Sequence, residues 1–374
     1  MKRNVWMVLL TAAFCATGCI KLDGFFFEAE KVSSLSEDYH GLPVTLAEDS
    51  PEWIQSAQVE RELFIETPLG VVVSEAQKEE VPYIHGVFLH APSGCPADEC
   101  PLIDAGVTFL YQHGNSGQLF RYWYRAVALW SMGANVFIYT YRGYGLSSGE
   151  PSREHVLEDA SAVMTYVRSR PDVISDRIIA YGYSMGGIPA SYLVGRSEHS
   201  GAFLAAILES ALDSPDGTLN LSTGTEFPNG FFMDATLFDG PTFIADAPAM
   251  PILHMHGGND RRVVPEQAKQ YYRVLKDRAD YTHYLGKEDK PHGDWIEEAV
   301  HRNLPIVSFK GELQIADYYD DASNPSHCCI HPIEYTDAVH AEFLKDTGKT
   351  DGETMAADAA RYRSLISTWI LSIL

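Results

Sequence analysis

The sequence predicts an α/β fold: a mostly parallel central sheet with helices on both faces and a small irregular cap. Three observations carry this. Short, almost wholly apolar runs alternate with longer runs whose apolar residues recur at helical spacing. The short runs lack the in-and-out alternation of a half-exposed strand, so they read as strands buried on both faces, joined by crossover helices. Apolar residues make up 45% and charged residues 21%, the balance of a packed chain rather than a disordered one.

The elements follow in order. Residues 20–58 are a polar approach with Phe25-Phe26-Phe27 as one apolar knot. Glu62–Glu66 and Val71–Val73 read as two strands around Thr67-Pro68-Leu69-Gly70, where Pro and Gly favour a turn. Ile84–His90 is a third strand, and Ala91–Ala105 a loop. Val107–Tyr111 is a buried-type strand, Leu119–Met132 a helix and Asn135–Tyr141 a strand. Then come helix Val156–Ser169, strand Arg177–Tyr183, helix Met185–Gly195 and strand Phe203–Leu208. Residues 211–249 scatter Phe231, Phe232, Met233, Phe238 and Phe243 among Gly, Pro and Thr without a period, which reads as the cap. Strand Pro251–Met255, helix Glu266–Lys276 and strand Tyr281–Leu285 follow. Antiparallel strands at the front make the sheet mixed. The domain plan is a signal peptide over 1–18, a linker over 19–58 and a core over 59–300. An insertion over 301–334 and C-terminal helices over 335–374, completing the core, finish it.

Lys plus Arg number 28 against 51 Asp plus Glu, for a formal charge of −23. Such a chain repels phosphate backbones, which argues against nucleic acid as a partner. At the N-terminus Lys2 and Arg3 precede an apolar run, Val5–Ala16, that is shorter than the roughly 20 residues a membrane span takes. That is the layout of a secretory signal. Its end, Ala16-Thr17-Gly18-Cys19, resembles the lipobox of bacterial lipoproteins, although Leu is usual where Ala16 stands. The resemblance implies lipid on Cys19, a bacterial cell-envelope address and, with Ile20 rather than Asp next, the outer membrane of a Gram-negative host. A plain secretory signal cut elsewhere is the alternative. Removing 1–18 takes away Lys2, Arg3 and no acid, which leaves −25, so acyl chains rather than basic residues would hold the protein to a membrane.

Of six cysteines, Cys95, Cys100, Cys328 and Cys329 remain once Cys15 and Cys19 are accounted for. Export makes disulfides their default state, with three pairings open. Cys95 and Cys100 can close a small loop, and cross-pairing with Cys328 and Cys329 is the rival. His327-Cys328-Cys329-Ile330-His331 holds four metal-ligand types, but adjacent thiolates diverge, so no metal is assigned.

Ile178–Gly187 carries the chemistry. A buried strand runs into Gly182-Tyr183-Ser184-Met185-Gly186 and then a helix. The turn is tight, the glycines admit close approach of strand and helix, and the serine is left strained at a helix N-terminus that favours negative charge. Ser184 is therefore the candidate nucleophile. A serine needs a base and an orienting acid. Asp260, at the tip of the turn after strand 251–255, is the candidate acid, with Asp289 and Asp294 as rivals. His292, on the loop after the last strand, is the candidate base. His283 lies inside that strand, while His327, His331 and His340 come later, His331 being the first alternative. Gln112–Gly117 follows a strand and opens a helix, so the amide of Asn115 is a candidate oxyanion donor beside that of Met185. Asn115 or Ser116 can equally cap the helix.

Three stretches resemble the α/β-hydrolase superfamily, in particular its serine-aminopeptidase-like branch, which also holds lysophospholipid hydrolases and depalmitoylases. They are His113–Gly117, Tyr141–Ser152 (Tyr-Arg-Gly-Tyr-Gly-Leu-Ser-Ser-Gly-Glu-Pro-Ser) and Gly182–Gly187. The likeness spans roughly residues 60–295. It departs where Tyr141 replaces the usual Asp, and in a long tail after His292. For Tyr141–Ser152 a structural role is expected: a turn fixed by Arg142, with Pro151 or Ser152 starting the next helix. The resemblance implies an α/β-hydrolase fold and acyl transfer to water through an acyl-enzyme, without metal or organic cofactor. A lipid anchor favours a small ester, thioester or lysophospholipid substrate. A peptidase and a non-catalytic lipoprotein scaffold are the alternatives.

Overall fold

A computed structural model of the chain describes residues 26–32, 58–92, 106–117, 119–130, 132–215, 238–256, 263, 265–285, 366–367 and 369–374. Eight strands form one sheet: β1 (Val59–Glu66), β2 (Tyr83–Leu89), β3 (Thr108–Gln112), β4 (Asn135–Tyr139), β5 (Ile178–Tyr183), β6 (Phe203–Glu209), β7 (Ile252–His256) and β8 (Tyr281–Leu285). They lie in the order β1-β2-β4-β3-β5-β6-β7-β8. The β1–β2 and β2–β4 pairs are antiparallel and all others parallel, so the sheet is mixed at its front as the pattern predicts. The helices are α1 (Trp123–Trp130), α2 (Arg153–Ser169), α3 (Gly187–Gly195), α4 (Gly240–Ala245) and α5 (Pro265–Leu275).

Alternate residues of the central strands enter two cores. Ile178 and Ala180 of β5 pack with Val156 and Val163 of α2 and Leu193 of α3. Ile179 and Tyr181 pack on the other face with Trp123 and Leu129 of α1 and with Ile366, Trp369 and Ile370. Every residue of β3, β4 and β5 is buried, so these strands carry no solvent-facing side, whereas the edge strand β1 exposes Glu62. The described residues 366–367 and 369–373 are helical, and the Trp369 indole donates to Thr282 Oγ1 of β8 at 3.3 Å.

Several expectations are corrected. Val71–Val73 is no strand: it meets β1 through one bridge, Ile65 to Val72, and pairs over too short a length to build a ladder. The helix expected over 119–132 is a 3-10 turn (Leu119–Tyr122) followed by α1, ended by Gly133 at φ 96°. The strand expected to Tyr141 stops at Tyr139, and α2 begins at Arg153 because Ser152 caps it, accepting from the His155 N–H at 3.1 Å. The expected cap is not wholly irregular, since Asp239 caps helix α4 by accepting from the Thr242 N–H at 2.8 Å. Residues 28–32, expected in a linker, are bonded to two loops at the carboxyl edge of the sheet. The expected insertion over 301–334 lies outside the described residues.

Candidate active site

The parallel strands end in step. Gln112 of β3 pairs with Gly182 of β5, Tyr183 with Glu209 of β6, Glu209 with Met255 of β7, and His256 of β7 with Leu285 of β8. The segments that follow leave from one edge, where ligands bind in open α/β sheets.

At that edge β5 turns through a 3-10 segment, Ser184–Gly186, into α3. Ser184 has φ 53°. That left-handed conformation costs a non-glycine residue about 1–3 kcal/mol and persists only where the surroundings impose it. They do so here. A Cβ on Gly182 would stand 2.6 Å from the Gly186 carbonyl oxygen, and one on Gly186 would stand 2.1 Å from that of Gln112. The Ser184 carbonyl accepts from the Leu212 N–H at 2.9 Å. Ser210, just past β6, is the other described non-glycine residue at positive φ, at 44°. Strain thus gathers at the ends of two adjacent strands. Ser184 is partly exposed, while Met185, next along the turn, is fully buried.

The loop after β3 packs on this elbow: a Cβ on Gly114 would lie 3.2 Å from the Tyr183 ring. His113 is buried among the rings of Tyr122, Tyr141 and Tyr144. Burial lowers its pKa to about 4, although its bond to the Gly114 carbonyl pulls the other way, so the ring is neutral at pH 7. Its Nδ1 lies 2.6 Å from the Gly114 oxygen, which can only accept, so Nδ1 carries the hydrogen. The Gly114 carbonyl and the Asn115 N–H share one peptide plane. Holding the carbonyl therefore sets the direction of the amide, the candidate oxyanion donor. The Asn115 side chain is engaged elsewhere: Nδ2 donates to the Phe26 carbonyl at 2.6 Å, and Oδ1 accepts from the Glu28 N–H at 3.3 Å and the Tyr144 hydroxyl at 3.0 Å. It joins loops, where the sequence suggested a helix cap.

Two buried ion pairs lie on opposite faces of the sheet. Arg142 donates to Asp159 through Nε at 2.6 Å and through its own backbone N–H at 2.7 Å, which is the turn-fixing role expected of it. Burial pushes the Asp159 carboxyl up to about 6 against the pull of Arg142. On the other face Arg125 Nη1 lies 2.5 Å from both Glu209 carboxylate oxygens, with its guanidinium 4.0 Å from the centre of the Tyr183 ring. The Tyr181 hydroxyl donates to the same carboxylate. Sequence reasoning missed this second pair. The available signal was a lone acid, Glu209, at the end of an apolar strand.

The structure thus brings Ser184, Met185 and the Asn115 loop together. Asp260, His292, Cys19, Cys95, Cys100, Cys328 and Cys329 lie outside the described residues, as do the rivals Asp289, Asp294 and His331. Among the described residues one cluster, Glu60, His90 and Asp172, has metal-ligand atoms within 4.8 Å of one another. Arg170 already bonds to both of its acids, at 2.5 and 2.6 Å.

Residues 106–223 match the family described as serine aminopeptidase S33. The chain is 30% identical to YfhR of Escherichia coli K12 over 250 residues, which cover 65% of this chain and 78% of that one. It is 37% identical to mouse alpha/beta hydrolase domain-containing protein 17C over 106 residues, 28% of this chain and 33% of that one. Among solved structures, an esterase of Pyrococcus furiosus aligns with a TM-score of 0.46 at 16% identity, covering 70% of this chain and 88% of that chain. The sheet order, the strained elbow and the likeness to YfhR meet in one conclusion: the chain belongs to the α/β-hydrolase superfamily and is a hydrolase of that fold.

Proposed function

We propose that the chain is a serine hydrolase cleaving carboxylic ester bonds, including thioesters and lysophospholipid esters, through an acyl-enzyme on Ser184. The observation that carries this reading is Ser184 at φ 53°, where β5 meets α3 at the carboxyl edge. His292 accepts the Ser184 proton as Oγ attacks the acyl carbon, and Asp260 orients the imidazole and stabilises its charged form. The amides of Met185 and Asn115 hold the oxyanion. His292 then returns the proton to the departing alcohol or thiol. Water, deprotonated by His292, releases the carboxylic acid and frees Ser184. The chemistry uses no metal or organic cofactor.

The strand ends support these roles. β7 ends at His256, four residues before Asp260, and β8 at Leu285, seven before His292. Extended chain of those lengths spans at most about 14 and 25 Å from the edge that carries Ser184. We also propose lipid on Cys19, which would hold the enzyme in the bacterial cell envelope, at the outer membrane in a Gram-negative host, beside ester lipids. Peptide hydrolysis is the second reading, favoured by the description of the matching family.

Fluorophosphonate labelling of the parent, Ser184→Ala and His292→Ala tests the assignment. The parent is expected to label and both variants to lose labelling, with ester turnover falling at least about a thousandfold. Labelling that survives His292→Ala would move the base to His331. A folded parent that never labels would make the chain a scaffold. Turnover of aminoacyl anilides above p-nitrophenyl esters would favour the peptidase.

A further inference from the structure

We propose that residues 26–32 form a strap that holds the oxyanion loop in its working shape, so that the segment downstream of Cys19 is a functioning part of the active site. The proposal rests on the serine-hydrolase reading of Ser184 and adds a positioning element to it.

The strap crosses three loops at the carboxyl edge. It pairs with the loop after β3 in a parallel bridge, Ala29 with Gly117, and with the turn after β4 in a second, Lys31 with Gly145. The Gly117 N–H donates to the Glu28 carbonyl at 3.1 Å, and the Glu30 N–H returns a bond to the Gly117 carbonyl at 3.3 Å. The Gly145 N–H donates to the Glu30 carbonyl at 2.7 Å, and the Val32 N–H to the Gly145 carbonyl at 3.0 Å. Gly117 and Gly145 stand at φ 79° and 54°, so each turns its peptide groups toward the strap at a position suited to glycine. Phe26 and Phe27 meet Phe238, just ahead of α4, edge to face at 6.3 Å each.

Asn115 is the junction. Two of the three partners of its side chain are strap backbone groups, Phe26 O and Glu28 N. Without the strap, one Tyr144 hydroxyl remains to hold it. Its own amide is the candidate oxyanion donor. Oxyanion stabilisation depends on donors held close to their working positions, and a misplacement of about 1 Å can cost a hundredfold in rate. Glu28, Glu30 and Lys31 have exposed side chains, so the strap acts through its backbone and its two phenylalanines. With lipid on Cys19, seven residues before Phe26, the strap would also keep this loop cluster within about 25 Å of the bilayer.

The test uses the full-length chain in detergent. Glu28→Pro and Glu30→Pro each delete one strap N–H, while Phe26→Ala with Phe27→Ala loosens it through packing. Turnover of p-nitrophenyl butyrate, thermal unfolding, and hydrogen exchange at the Gly117 and Gly145 amides are read together. The expected result is a fall of about tenfold in kcat with KM within twofold, faster exchange at both amides, and a folded protein. Should a proline variant fail to fold, the double alanine variant decides. Parent kcat in a variant whose two amides have lost protection overturns the strap, as does a KM rise with kcat unchanged. A parent that takes no fluorophosphonate overturns the hydrolase reading and the strap's catalytic role with it.

Discussion

Arg142 and Arg125 are both buried, both paired with a carboxylate, and set on opposite faces of the sheet. What each pair holds is different. Asp159 accepts from the Arg142 side chain and from the Arg142 backbone N–H, while the guanidinium also reaches the His155 carbonyl at 3.1 Å. That pair is a backbone clamp on the turn between β4 and α2. Glu209 instead accepts from the Arg125 guanidinium and the Tyr181 hydroxyl, and Arg125 covers the ring of Tyr183. It orients two rings of β5, the strand that leads into Ser184. The Coulombic gain of a buried pair is largely offset by desolvation. The lesson is that the worth of such a pair lies in the third group it fixes.

Breaking either pair on one side should have the largest effect. Glu209→Ala takes the carboxylate from the buried Arg125 guanidinium, and urea unfolding should show a loss of about 3–5 kcal/mol. Asp159→Ala should cost less, because the Arg142 guanidinium keeps the half-exposed Glu158 carboxylate at 2.7 Å. Removing both partners should separate the pairs. Arg125→Met, Glu209→Leu and Tyr181→Phe together are expected to return within about 1 kcal/mol of the parent, since an apolar filling of similar volume replaces both charges and the hydroxyl that meets them. Arg142→Met with Asp159→Leu should stay about 1–3 kcal/mol below it, because the Arg142 backbone N–H has lost its acceptor. Equal recovery of the two would mean that neither pair acts through the backbone.

The same contrast explains what was legible in the sequence. Strand β5, the turn at Ser184 and helix α3 are contiguous, so spacing and glycine placement sufficed to find them. The role of Arg142 was legible because its motif turn is continuous up to Ser152, which caps the helix carrying Asp159. Arg125 and Glu209 lie 84 positions apart, and no local pattern joins an acid closing an apolar strand to an arginine on a helix two crossovers earlier. The strap failed to show for the same reason: Asn115 and Phe26 are 89 positions apart. A polar segment with one aromatic knot reads as a linker until the loops it crosses are in place. Val71–Val73 was over-read because a β-branched run suits a strand, but nothing in it reveals how short its pairing is.

Acid should sharpen the contrast further, because the Arg142 side has a titrating neighbour. Tyr141, next to Arg142, donates its hydroxyl to the His113 carbonyl at 3.0 Å and lies against the His113 ring. The folded pKa of His113, about 4, is below its ordinary 6.5. The unfolded chain therefore takes up a proton first as pH falls. The stability this gives is fully present above pH 6.5 and is lost progressively from there toward pH 4. At pH 5.5 the loss from this one group is about 1.4 kcal/mol. His113→Gln lacks it, so the stability gap between parent and variant should shrink by that amount between pH 8 and pH 5.5. A gap that stays constant would mean that folding leaves the pKa of His113 at its ordinary value.

The smallest expected effect tests the ring-orienting role itself. Arg125 lies over Tyr183, and the Tyr183 ring packs where a Gly114 side chain would otherwise stand, one residue before Asn115. A path of contacts therefore runs from Arg125 through one ring to the oxyanion loop. Lysine at position 125 keeps the charge for Glu209 but loses the flat guanidinium that stacks on the ring. Arg125→Lys should lower kcat for a short ester about threefold with KM unchanged, under about 1 kcal/mol of transition-state stabilisation. Arg142→Lys keeps the acceptor for the backbone N–H and should change kcat less. The decisive comparison is the ratio of the two kcat values. If Arg142→Lys falls further, the clamp governs the oxyanion loop and the ring of Tyr183 is only packing.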